Sequence, residues 1–210
     1  MLKNFLIVSA LMLGSKLAFG QSLEVHEWGT FTVVQNDLGE TLVGVNTDDE
    51  PVPSFVYRKY GFINNINVID KPTIKGIPRF INRKMRMRLE TPVVYFYPRE
   101  NLENKSFDFQ ADFKEGIISE VYPRTYDIAK DGKILESPHS QAIWKSITLN
   151  SQGAFPKTDS PVWLEPRKVN ATAVQVGDES EKYLFYRGLG EHDIPLHVVT
   201  NRKTKKIEIF

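Results

Sequence analysis

The densest group of residues able to do chemistry is Val25-His26-Glu27-Trp28-Gly29-Thr30-Phe31-Thr32. On a regular strand, Leu23, Val25, Glu27, Phe31 and Val33 share one face, while His26, Trp28, Thr30 and Thr32 share the other. Glu27 then lies on the apolar face. A carboxylate there is either kept neutral by desolvation or held by a cation or by hydrogen bonds. Kept neutral, with His26 beside it, Glu27 is a candidate general acid and the two form a candidate catalytic pair. Held, it is a structural group, and a bulge at Gly29 would turn it outward. The residues leave both readings open.

A partner for Glu27 is suggested by Tyr183-Leu184-Phe185-Tyr186-Arg187-Gly188-Leu189-Gly190. Arg187 has the same parity as Tyr183, Phe185 and Leu189, so it is expected to face inward with them. A buried Glu27–Arg187 ion pair joining the first strand to a late one is the resulting expectation, and truncating either member would strand the other charge.

Metal ligation has one local candidate, His192, Asp193 and His197. These residue types suit a divalent metal, but Pro195 interrupts them and the spacing is not that of a helical two-histidine motif. The opposing reading is a polar turn ahead of a strand. No other cofactor is indicated: the chain has no cysteine, which removes thiol nucleophiles, thiolate zinc sites, iron–sulfur clusters and c-type haem together. Gly-rich phosphate loops, a nucleophile elbow and a dinucleotide fingerprint are also absent from the sequence.

Two further arrangements invite a ligand. Glu27, Glu90, Glu120 and Glu165 sit in or beside expected strands, and a glycosidase needs two such groups about 5–10 Å apart. Arg86 and Arg88 alternate with Met85, Met87 and Leu89, making a cationic strip suited to a carboxylate, sulfate or phosphate, or else a solvated sheet face. Trp28 offers a stacking platform for a sugar, although it, Trp144 and Trp163 each sit among apolar neighbours as core tryptophans do.

The elements that must position these groups are strands. Leu23 to Val34, the turn Asn36-Asp37-Leu38-Gly39 and Glu40 to Val45 form a hairpin pattern. An acidic, proline-bearing loop follows at residues 47–53, then a short strand within Phe55 to Tyr60 and an irregular stretch at 61–78. Phe107, Phe109, Ala111 and Phe113 alternate with polar residues as a half-buried strand does. Further strand-like runs occupy Ile117 to Ile128, Ala142 to Leu149, Val162 to Val176, Tyr183 to Gly188 and Pro195 to Thr200, with a last hairpin closing onto Ile207 to Phe210. No window of helix length carries an apolar repeat at three and four residues. The expected fold is all-β, a two-sheet antiparallel β-sandwich of roughly ten strands, in one domain over residues 21–210.

Residues 1–20, MLKNFLIVSALMLGSKLAFG, read as a signal peptide: Lys3 ahead of an apolar run, and small residues at Ala18 and Gly20. The run is about half the ~20 residues of a membrane span, so no span is expected after cleavage. The full chain carries a net charge of +1, and the loss of Lys3 and Lys16 with the leader takes it to −1. That balance offers no electrostatic footprint for nucleic acid. The expectation is an exported protein, periplasmic or extracellular, stabilised by its core alone.

"HEWGTFT" at 26–32, "MRMRLETPVVYFYP" at 85–98, "GIISEVYP" at 116–123 and "YLFYRGLG" at 183–190, in this order, resemble a family of secreted bacterial proteins of unassigned function. The resemblance implies export from a bacterium and carries over no catalytic set. It also implies a continuation past the position matching Phe210, so that this chain would be a truncated relative. Two functions follow as expectations. One is an exported module that binds a glycan, polymer or protein partner through its loops and an exposed sheet face. The other is an extracytoplasmic hydrolase, glycan-directed or metal-assisted, built around Glu27 and the histidines.

Overall fold

The computed structural model describes residues 23–43, 51–59, 85–99, 105–131, 140–149, 152–191 and 193–210. The expected signal peptide, the acidic residues of the loop at 48–50, the irregular stretch at 61–78 and His192 lie outside them.

The described residues hold eleven strands: β1 (Leu23–Val33), β2 (Tyr57–Arg58), β3 (Met87–Pro98), β4 (Ser106–Asp112), β5 (Gly116–Tyr122), β6 (Gln141–Leu149), β7 (Val174–Val176), β8 (Glu179–Glu181), β9 (Leu184–Gly190), β10 (Val198–Asn201) and β11 (Lys206–Ile209). They form a five-stranded sheet ordered β1-β3-β9-β5-β2, a four-stranded sheet ordered β4-β6-β7-β8, and the hairpin β10-β11. Every pairing is antiparallel. The all-β sandwich architecture expected from the sequence is the one observed.

Alternation explains the layers. Met87, Leu89, Val94 and Phe96 of β3, Ile118 and Val121 of β5, and Leu184 and Tyr186 of β9 meet Trp144, Ile147 and Leu149 of β6 and Val174 and Val176 of β7 in one apolar cluster between the sheets. Burying each such side chain contributes ~1.5–3 kcal/mol. The alternating phenylalanines of β4, Phe107 and Phe109, pack on the edge of this cluster while their neighbours face water.

The other face of the five-stranded sheet is also covered. Val93, Tyr95, Tyr122, Tyr183 and Phe185 lie under Trp163, Val56 and Ala171. β9 is therefore buried on both faces, which is why YLFYRGLG shows no polar alternation. Gly188 leaves no room for a side chain between β9 and β5: a Cβ there would sit 2.1 Å from the Ile117 carbonyl oxygen.

Part of the expected run Val162 to Val176 is helical. Pro161–Leu164 forms a single helical turn, α1, followed by a 3-10 turn at Pro166–Lys168, and only Val174–Val176 is strand. Proline at the first helical position explains both turns, since its fixed φ suits a helix start and its missing N–H has no partner there in any case. The apolar content of the run was real, but it serves a lid rather than a ladder. The hairpin expected after β1 is short over the described residues: the bridge Gln35↔Thr41, with Leu42 N–H on the Val34 carbonyl at 2.8 Å and Asn36 N–H on that of Glu40 at 3.0 Å, while Leu38 bridges to Val199 of β10.

Candidate functional site

β1 is the edge of the five-stranded sheet, and its two faces meet different surroundings. Pairing with β3 sets Glu24 opposite Tyr97, His26 opposite Tyr95, and Trp28 opposite Val93, on the face that carries α1. Val25, Glu27, Phe31 and Val33 lie opposite Phe96, Val94, Leu89 and Met87, on the face toward the second sheet. A register shift between Trp28 and Thr30 is absorbed on the β3 side, so the alternation along β1 survives it. Gly29 backs onto that irregularity, and a Cβ would meet Pro92 Cα at 2.9 Å.

Hydrogen bonds pin α1 to its face of the sheet. Tyr95 Oη donates to the Pro166 carbonyl at 3.0 Å and Tyr183 Oη to that of Trp163 at 2.9 Å. Below them Glu181, fully buried, accepts from Trp163 Nε1 at 3.0 Å, from Arg167 Nε at 3.0 Å and Nη2 at 2.6 Å, and from the Lys182 N–H at 2.8 Å. Four donors on one carboxylate satisfy a buried charge. Burial pushes the Tyr95 phenol up to about 12, and that of Tyr183 further still.

Between this fixed lid and the edge strand runs an open groove of about 380 Å³, floored by Val93 and Tyr95 and walled by Trp28, Thr30, Val162, Pro166 and Val169. Trp28 is 65 % exposed in its wall, whereas Trp144 and Trp163 are buried. The core reading of Trp28 is thereby corrected, because among the described residues no apolar layer closes over it. Beyond Trp28 on the same face stands a polar row: Glu24 bonds His26 Nε2 at 2.6 Å and Arg99 Nη2 at 2.9 Å. Arg99 and His26, in that order, hold the Glu24 carboxyl below its ordinary range.

The expected Glu27–Arg187 pair is replaced by two others. Glu27 is exposed and accepts a hydrogen bond from Tyr186 Oη on the face toward the second sheet. Burial first, and this bond second, raise the Tyr186 phenol well above its ordinary value, so it stays a donor. Arg187, one residue on, faces the opposite side and pairs with buried Glu120 through Nε at 2.5 Å. Inward parity holds for Arg187, which is buried, whereas Glu27 is exposed at the sheet edge. The two lie on opposite faces of the sheet, which parity cannot distinguish.

The remaining candidates disperse. Arg86 Nη1 reaches both oxygens of Asp193 at 2.6 Å, holding that carboxyl below its usual range, so a candidate binding residue and a candidate metal ligand neutralise each other. Arg88 pairs with Glu90 at 2.8 Å. His197 uses Nδ1 on the Gly39 carbonyl at 2.9 Å. Among the described residues no three of His, Asp and Glu cluster to hold a metal ion. Glu27 lies opposite Val94 and Asp193 lies beside Arg86, which puts roughly 25 Å of strand between them at ~3.3 Å per residue. The carboxylates considered for sugar cleavage are separately engaged: Glu90 by Thr32 Oγ1, Glu120 by Arg187, Glu165 by Lys168.

Sequence reasoning passed over the pair of buried Glu181 with half-buried Arg167 and the buried Lys59–Asp127 pair, whose Nζ and Oδ2 are 2.9 Å apart. Nothing in the local pattern marks them, since each joins segments distant in the chain or across a turn. No protein-family model matches the chain, and neither a curated protein nor a solved structure does.

Proposed function

We propose that the protein is an exported bacterial binding module, without catalytic activity of its own, whose ligand lies along the groove between β1 and α1. The observation that carries this reading is Trp28: a large aromatic ring 65 % exposed in the wall of a concavity whose other wall is fixed by hydrogen bonds. Of a glycan, another polymer and a protein partner, a glycan fits best. A sugar needs an apolar ring face and hydrogen-bonding groups beside it, and Trp28 followed by His26, Glu24 and Arg99 supplies both. Export rests on the leader pattern at residues 1–20, and bacterial origin on the resemblance of the four segments.

A protein strand is the second reading. β1 has no strand on its outer side among the described residues, and Val25 and Phe31 are exposed along it. The hydrolase reading has less behind it, since Glu27 is engaged by Tyr186 and, among the described residues, Glu90, Glu120 and Glu165 are engaged elsewhere. Screening the purified mature protein against an oligosaccharide array tests the first reading. Binding to a defined set of sugars is expected, and release of reducing ends from them would favour the hydrolase.

A further inference from the structure

Lys59 is the one buried lysine among the described residues, and it is buried against a carboxylate. Its Nζ stands 2.9 Å from Asp127 Oδ2, with the two side chains 0 % and 1 % exposed. The same nitrogen donates to the Gln141 carbonyl at the start of β6. Both partners are placed by backbone bonds rather than by each other. The Lys59 N–H bonds the Ser119 carbonyl at 2.7 Å, extending the β2–β5 pairing. Asp127 sits in a turn held by Tyr126 N–H on the Ile143 carbonyl at 2.9 Å and by Ile128 N–H on the Thr125 carbonyl at 3.1 Å.

The pair differs in kind from the other buried ion pairs. Glu120 and Glu181 face arginines, whose guanidinium stays protonated and is no nucleophile. Lysine becomes one when it gives up a proton, and the nearest acceptor here is the carboxylate it would attack. Contact between the two groups in a site closed to water supplies the proximity and the dryness that a condensation needs.

We infer that Lys59 and Asp127 condense to an isopeptide bond, a covalent brace between the β2 edge and the turn after β5 in a chain that has no cysteine. A proton passes from the ammonium to the carboxylate, leaving a neutral amine and a carboxylic acid. The nitrogen lone pair then attacks Asp127 Cγ. The tetrahedral intermediate expels its hydroxyl, which leaves as water with a proton taken from the nitrogen. One C–N bond forms and one C–O bond breaks. Nothing is oxidised or reduced, so no cofactor enters the balance. The Gln141 carbonyl is a positioning group that orients Nζ through its hydrogen bond. Burial then protects the amide from hydrolysis.

The test is the intact mass of the denatured full-length mature chain, with its N-terminus determined independently, followed by peptide mapping. The expected mass is one water below that of the sequence, with the Lys59 and Asp127 peptides recovered as a single branched species. Asp127→Asn removes the group that takes the ammonium proton, so it is expected to keep its full sequence mass, and crosslinking in it would overturn the step as written. Full sequence mass in the native protein, with Lys59 open to amine labelling after denaturation, would overturn the proposal and leave an ion pair. Loss of water that persists in Asp127→Ala would overturn it as well.

Discussion

Tyr186 on β9 donates its phenolic proton to Glu27 on β1, reaching across the intervening strand β3. The bond fastens the edge strand to β9 on the face toward the second sheet. Tyr186→Phe removes the donor while leaving the ring in the core, and is expected to cost about 1–2 kcal/mol by denaturant unfolding. Glu27→Gln keeps an acceptor and is expected to cost less. Equal losses in the two variants would mean that the carboxylate charge, not the bond, is what matters.

Buried phenols set the behaviour at high pH. Tyr57 and Tyr95 are raised to about 12, mainly by desolvation, and Tyr122, Tyr183 and Tyr186 lie higher. Unfolded tyrosines ionise near 10, so above that pH the unfolded chain binds fewer protons than the folded one. Their contribution to stability is whole below pH ~10 and falls as pH climbs through 12. Ultraviolet titration is expected to show one group of tyrosines ionising normally and a second doing so only as the fold is lost.

Glu120 and Arg187 form a pair whose loss on one side is costly. Glu120→Ala takes a buried carboxylate away from the nearly buried Arg187 guanidinium and from Arg58, and is expected to destabilise by ~3–5 kcal/mol. The double replacement Glu120→Leu with Arg187→Met is expected to recover most of that loss. A double variant no better than the single one would assign the cost to packing.

Gly188 has no room for a side chain. Gly188→Ala would push β9 off the Ile117 carbonyl, and overpacking of this kind costs ~1–3 kcal/mol or more. Thermal unfolding reads it directly, and an unchanged midpoint would show that the strands separate freely there.

Much of the fold was legible because alternation is a local property. Phe107, Phe109 and Ala111 announced β4, and Met87 with Leu89 announced the inner face of β3. The apolar residues around Pro161 and Pro166 read as strand because a lid of one helical turn is too short for a period of 3.6 to show. The site was less legible. Trp28 and His26 were found by residue type, and parity put them on one face. The pairings of Glu27 and Arg187 were missed because a sheet buried on both sides has two interiors. Lys59 with Asp127 and Arg167 with Glu181 depend on contacts that only the folded chain brings about.

Trp28 is the one exposed tryptophan of three, so collisional quenching of fluorescence by acrylamide reports on the groove itself. Native protein and Trp28→Ala, whose stability is expected to agree within ~0.5 kcal/mol, are to be titrated with the tightest oligosaccharide from the array. In native protein the sugar is expected to shield the quenchable tryptophan, and in Trp28→Ala the quenchable signal and the binding are expected to disappear together. Undiminished binding to Trp28→Ala, or no oligosaccharide bound by the native protein, would contradict the glycan site.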